Sequence, residues 1–243
     1  MTEDGFFTIL DSVDSTNNYA MGRVHAGLAK HGMGWFTKEQ TAGKGQRGRV
    51  WATEKGKNIA MSLVLEPNRL PFTNQFHVSA AIAITVFEFF SKYAGDETKI
   101  KWPNDLFWCD RKAGGILIEN VFQGKQWKWA IVGIGININQ IDFDPFDIPP
   151  VSLKMITGKE YQPVELAKEL FVLLMKNLAA LTRTNLIIEQ YNAQLYKKDK
   201  LVTLNKDGTK FNSIIKEVTS DGRLLTVDAI EREFNFGEVL WVL

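Results

Sequence analysis

Gly115-Ile116-Leu117-Ile118-Glu119-Asn120-Val121-Phe122 is followed, after a turn at Gln123-Gly124-Lys125 and then Gln126, by Trp127-Lys128-Trp129-Ala130-Ile131-Val132-Gly133-Ile134-Gly135. β-Branched and aromatic residues fill both runs and a glycine turn joins them, which predicts an antiparallel hairpin. Working outward, Lys99–Trp102 and Leu106–Cys109 read as two shorter strands, and Asp110–Gly114 as a turn. The four strands form an antiparallel meander. Ile59–Leu65 reads as a buried strand, and Phe6–Leu10 and Gly34–Glu39 as two more.

Helices flank these strands. Asp14, Ser15 and Thr16 supply cap residues for a helix through about Ala29. Asn74 to Tyr93 is strongly helical, with Phe76, Ala80, Ile84 and Phe87 at helical spacing, a core stripe. Asp142–Pro150, with three prolines, reads as an irregular surface loop. Pro163 opens a helix through about Leu181, and another follows near Leu186–Tyr196. After Asp199, short strands are punctuated by Asn205–Gly208 and Ser220–Gly222, both turn signals. The fold class is therefore α+β: a mixed, mainly antiparallel sheet with helices packed on it, then a small β-barrel-like module. The expected division is residues 1–196 and 197–243. So small a module should lean on the larger unit.

Composition narrows the function. The 243 residues carry a net charge of +1, so no global basic field attracts nucleic acid. No run of eighteen apolar residues and no signal-peptide pattern occurs, so neither membrane nor export is expected, and the place is cytoplasmic. The one cysteine, Cys109, fits a reducing compartment and reads as a small buried hydrophobe. Three histidines without H-x-x-x-H spacing make no zinc site.

Three segments carry chemistry. Gly43-Lys44-Gly45-Gln46-Arg47-Gly48-Arg49-Val50-Trp51 combines glycines, cations and an aromatic face, which suits an anionic ligand bearing a ring. It also matches G-x-G-x-x-G, but it leads into a strand rather than a helix, so a dinucleotide fold is rejected. Alone, it could be a solvated basic hairpin. Lys101-Trp102-Pro103-Asn104-Asp105 gathers a cation, an amide and a carboxylate, and alone reads as a capped turn. Lys112 opens a strand ahead of Gly114 and Gly115. In Gly133-Ile134-Gly135-Ile136-Asn137-Ile138-Asn139 the alternate glycines share one sheet face with Asn137, leaving room for a flat ligand.

In this order, with Asp14–Asn17, Gln40 and Ser152-Leu153, these motifs resemble the biotin protein ligases in a short form. The resemblance spans almost the whole chain. It implies a class II synthetase-like catalytic domain and an SH3-like C-terminal barrel. It implies that Ser15, Thr16 and Gln40 contact the ureido ring of biotin, with Gly43, Lys44 and Gly115 lining that pocket and Gly133 and Gly135 making space for the bicycle. Lys112, Arg49 and Arg47 would be the catalytic cations, Lys112 also binding the biotin carboxylate. ATP would be held by Arg47, Arg49, Trp51, Lys112 and Asn137, with Mg²⁺ whose ligands are unassigned. The partner would be a biotin carboxyl carrier protein domain of acetyl-CoA carboxylase or a related carboxylase. A homodimer through the central sheet is compatible with the resemblance. A DNA-binding role is not expected, because the chain begins almost directly at the catalytic domain. One departure stands out: the family loop commonly reads G-R-G-R-x-G-R, and here Lys44 and Gln46 replace the first two arginines.

The implied reaction joins biotin to ATP as biotinyl-5′-AMP, then transfers it to a carrier lysine. Two anions must meet in the first step, so fixed positive charge is required there. The first alternative is a lipoate or octanoate ligase of related fold, which would need an apolar tunnel in place of the polar Ser15, Thr16 and Gln40. The second is a nucleic-acid-binding module, disfavoured by the net charge.

Overall fold

The computed structural model describes residues 6–70, 74–144, 148–180 and 184–242. The predicted hairpin is its centre. β1 (Phe7–Leu10), β2 (Gly34–Thr37), β3 (Ile59–Leu65), β4 (Thr98–Lys101), β5 (Asp105–Trp108), β6 (Arg111–Gln123) and β7 (Gln126–Ile136) form a seven-stranded sheet. Its order is β1-β2-β3-β7-β6-β5-β4. β4 to β7 are the expected meander, and only β1 and β2 run parallel. They are joined by α1 (Thr16–His25), which ends earlier than expected, at a Gly27 with φ of 68°. The predicted turn Asp110–Gly114 is tighter than read. Trp108 pairs with Arg111, so β6 begins at Arg111 and the turn shrinks to Cys109-Asp110.

Cys109 corrects a second expectation. It is exposed, with φ of 49°, because the tight turn turns it outward instead of into the core.

α2 (Gln75–Ala94), α3 (Leu153–Thr157), α4 (Pro163–Ala180) and α5 (Thr184–Ala193) follow in the chain. α3 was not foreseen. It is one short turn of helix capped by Ser152, whose Oγ accepts the Met155 N–H. Leu181 and residues 145–147 of the predicted loop lie outside the described residues.

α2 and α4 cover one face of the sheet. Ile59, Met61, Leu63 and Leu65 of β3 belong to the same core as Val78, Ile82, Phe89 and Phe90 of α2. Each such fully buried side chain contributes about 1.5–3 kcal/mol relative to exposure. The alternate residues of β3 point to the other face, where Val64 packs with Ala20 of α1, Trp35 and Ile131. Stability is concentrated under α2 and α4, and the α1 face is free for polar and small residues.

The C-terminal sheet comprises β8 (Leu201–Lys206), β9 (Thr209–Val218), β10 (Leu224–Val227), β11 (Glu231–Phe234) and β12 (Leu240–Val242), in the order β11-β10-β9-β8-β12. Asp207-Gly208 closes the first hairpin, as the turn signal predicted. The Ser220–Gly222 turn docks on the large sheet: Trp102 Nε1 donates to the Gly222 carbonyl at 3.0 Å and Asn74 Nδ2 to that of Ser220 at 3.1 Å.

Asn192 of α5 fastens the two sheets. Its Nδ2 donates to the Val218 carbonyl at 2.8 Å, and its Oδ1 accepts the Val218 N–H at 2.7 Å, both buried. Asn192→Ala leaves two buried backbone groups unpaired and should destabilise the protein by about 2–4 kcal/mol, read from urea unfolding. A change within about 0.5 kcal/mol, typical of a surface substitution, would contradict this role.

Candidate active site

The α1 face of the sheet is where the predicted residues meet. Strand register sets a row across it: Ala60 faces Gly135, Gly135 faces Gly115, Gly115 faces Asp105, and Asp105 faces Lys101. The adjacent row is Ser62, Gly133 and Leu117. Strands stand about 4.8 Å apart, so Gly135 to Lys101 spans about 14 Å. One end of this row is bare backbone and the other carries charge.

A polar cluster borders the bare end. Gln40 Oε1 accepts from the Thr16 N–H at 2.9 Å and from Thr16 Oγ1 at 3.1 Å. Ser62 Oγ lies 2.8 Å from Thr16 Oγ1 and donates to Asn17 Oδ1 at 2.6 Å. Asn17 Nδ2 donates to Glu119 Oε2 at 2.7 Å, and Lys44 Nζ lies 3.6 Å from Glu119 Oε1. Ser15, Thr16, Asn17 and Ser62 are all buried. Ser15 takes the N-cap position of α1, but its side chain does not cap.

The glycines are required by close approach. A Cβ on Gly133 would lie 2.4 Å from Asn17 Oδ1, and one on Gly135 would lie 2.5 Å from the Trp51 indole. At Gly43 it would meet the Trp51 carbonyl, and Gln40 Nε2 at 2.7 Å. The glycine loop is a hairpin: Trp51 N–H donates to the Gly43 carbonyl at 2.9 Å and Gly45 N–H to that of Arg49 at 2.7 Å. It lays the Trp51 ring over Gly135. The indole Nε1 is buried there without a hydrogen-bond partner.

At the charged end, Lys112 Nζ forms an ion pair with Asp105 Oδ1 at 2.7 Å. Both side chains sit above Gly115, where a Cβ would be 3.4 Å from Asp105 Oδ1 and 3.5 Å from Lys112 Cε. Lys112 Nζ also lies 5.8 Å from the Trp51 ring centroid. Lys101 is buried, and its amine is lowered to about 8, first by desolvation and then by the charges of Lys112 and Arg49, against the pull of Asp105.

Two predicted residues sit elsewhere. Arg47, at φ of 55°, turns to the C-terminal sheet, its guanidinium 4.8 Å from the Phe236 ring centroid and pressed against Gly237. Asn137 is buried, and its Nδ2 donates to the Val151 carbonyl at 3.2 Å and that of Lys112 at 3.4 Å, so the amide braces the strand entering the site. Sequence reasoning assigned no role to Asn17, Ser62, Lys101 or Asp105. Ser62 carried one signal, a hydroxyl inside the apolar run Ile59–Leu65.

The arrangement can hold a flat polar ring between the polar cluster and the Trp51 indole and draw an anionic tail toward Lys112. Among the described residues, no three His, Cys, Asp or Glu side chains converge on a metal position. No helix among them is long and apolar enough to cross a membrane.

Comparison with known proteins agrees with this geometry. Residues 9–137, just over half of the chain, match the biotin/lipoate A/B protein ligase family. The bifunctional ligase/repressor BirA of Escherichia coli (strain K12) is 34% identical over 136 residues, 56% of this chain and 41% of that protein. The biotin--[acetyl-CoA-carboxylase] ligase of Paracoccus denitrificans is 34% identical over 164 residues, 65% of this chain and 66% of that one. The chain thus spans less than half the length of the BirA relative it matches. The biotin protein ligase of Aquifex aeolicus, solved with biotin and ATP, superposes with a TM-score of 0.81 at 24% identity, over 98% of both chains. That likeness supports the fold, and it extends through the C-terminal sheet. This chain belongs to the biotin/lipoate A/B protein ligase family.

Proposed function

We propose that the protein is an ATP-dependent biotin ligase. It activates biotin as biotinyl-5′-AMP and transfers the acyl group to a lysine of a biotin carboxyl carrier domain, as in acetyl-CoA carboxylase. The carrying observation is the row that runs from side-chain-free Gly135 and Gly115 to the Asp105–Lys112 ion pair. Its length suits a bicyclic ring with an acidic tail. The names of the relatives and the biotin and ATP in the Aquifex protein point the same way. We further assign residues 1–196 to the catalytic unit and 197–243 to the C-terminal module, acting in the cytoplasm.

The polar cluster favours biotin over lipoate. A ureido ring offers two N–H donors and a carbonyl, and Ser15, Thr16, Asn17, Gln40 and Ser62 offer complementary groups at one end of the row. A dithiolane has no donor or acceptor to offer this polar pocket, a mismatch that costs roughly 10⁴-fold in sites of this kind.

In the first step a biotin carboxylate oxygen attacks the α-phosphorus of ATP, and the bond to the β-phosphate oxygen breaks. Lys112 offsets the charge of the approaching anions, with Arg49 on the loop above. Arg47 would have to leave Phe236 to join them. Mg²⁺ would offset phosphate charge alongside ATP, and no cluster of carboxylates among the described residues would hold it. In the second step the carrier amine attacks the acyl carbon, the C–N bond forms, and AMP departs. The glycine loop shields the anhydride from water in the interval.

Three outcomes test this. Pyrophosphate release should require biotin and fall roughly 10⁴-fold with lipoate or octanoate. Equal rates with all three acids would overturn the assignment. Lys112→Ala should lower that release by roughly 10²–10³-fold. Gly133→Ala displaces Asn17 and should weaken biotin binding about tenfold or more in calorimetry, the cost of one disturbed buried hydrogen bond. Unchanged affinity would move the ring away from Gly133.

A further inference from the structure

We infer that Lys101 is the proton acceptor for the incoming carrier lysine. The inference rests on the ligase reading above and names the base that this reading leaves open. Lys101 ends the row that begins at the bare glycines, one strand beyond Asp105. It stands on the same face as Gly135, Gly115 and Asp105, so an acyl tail extended along the row arrives at it. Among the described residues its amine makes no hydrogen bond. It lies instead 5.3 Å from the ring centroids of both Phe107 and Trp241.

Every group facing Lys101 favours a neutral amine except one. Lys112 from β6 and Arg49 from the glycine loop repel its proton, and Phe107 of β5 and Trp241 of β12 exclude water. Tyr196, beside Trp241, keeps its hydroxyl on Asp110 at 2.7 Å. Only Asp105 attracts the proton, and its Oδ1 is engaged by Lys112. The amine is thereby lowered to about 8, within reach of neutrality at working pH. An ordinary surface lysine near 10.4 would stay charged.

The step balances without another reagent. The carrier lysine arrives as an ammonium and gives one proton to the neutral amine of Lys101. Its freed nitrogen attacks the acyl carbon, a C–N bond forms, and the C–O bond to phosphate breaks. The nitrogen's second proton leaves with the AMP phosphate. Lys101 returns its proton to solvent once the products go.

The test separates the two half-reactions in the full chain. Adenylate formation is followed by pyrophosphate release. Transfer is followed in single turnover from purified biotinyl-5′-AMP to a biotin carboxyl carrier domain. Unaltered transfer should climb with pH and level off near 8. Lys101→Arg keeps a charge that cannot be removed, so transfer should fall roughly 10²-fold more than pyrophosphate release, and the levelling should vanish. Trp241→Ala admits water to the amine and should move the levelling to higher pH. A Lys101→Arg enzyme with the unaltered pH profile, or with equal losses in both half-reactions, overturns the proposal. So does a Trp241→Ala profile that stays in place, or an Asp105→Asn enzyme that alone loses the pH dependence. Absence of biotin-dependent pyrophosphate release in the unaltered protein would instead overturn the ligase reading, before any variant is made.

Discussion

A sheet face can be left bare only if the opposite face holds the sheet in place. Gly115, Gly133 and Gly135 remove three side chains from the centre of the large sheet, each a loss of packing and of strand propensity. The core under α2 and α4 supplies the compensation, with alternate residues of β3 and of β7 from Ala130 to Ile136 buried on that side. α1 then brings Thr16 and Asn17 down into the space that the missing side chains vacate. Asn17 Oδ1 occupies the place of a Gly133 Cβ, and Trp51 that of a Gly135 Cβ. The bare face is thus a consequence of where stability was concentrated.

Much of this was legible in the residues. The meander followed from strand and turn signals, and the shared face of Gly133 and Gly135 from period-two patterning; Lys112 was joined to that face by the family resemblance alone. Register was not legible. Nothing in Lys101–Asp105 says that Asp105 lies opposite Gly115, because that pairing depends on a bulge between Leu106 and Phe107. The same bulge shortens the turn and exposes Cys109. Ser62 was hidden for a different reason. A single hydroxyl in an apolar strand has no partner in its own segment, and its partners Thr16 and Asn17 lie about 45 positions away. Arg47 fails as a local reading too, since its ring partner belongs to the far end of the chain.

The C-terminal sheet bears on the site at two points. Phe236 and Gly237 hold the Arg47 side chain of the glycine loop, and Trp241 covers the Lys101 amine. Trp102 ties both to the large sheet through Gly222, and its ring lies 6.3 Å from that of Phe236. The small module therefore sets the solvent exposure of the charged end. That is an electrostatic role, since excluding water strengthens every charge interaction beneath it.

One carboxylate between two amines decides how that charge is shared. Asp105 sits between Lys112 and Lys101, and a single negative charge cannot satisfy both ammonium groups. Lys112, with about 29% of its side chain exposed, keeps the ion pair and some water. Lys101, at 7% exposure, has no ion pair among the described residues and little water. Desolvation lowers the Lys101 amine most, and the charge of Lys112 adds to it. Burial selects which amine gives up a proton. The result is two amines held side by side, one paired with the carboxylate and partly exposed, the other buried beside aromatic rings.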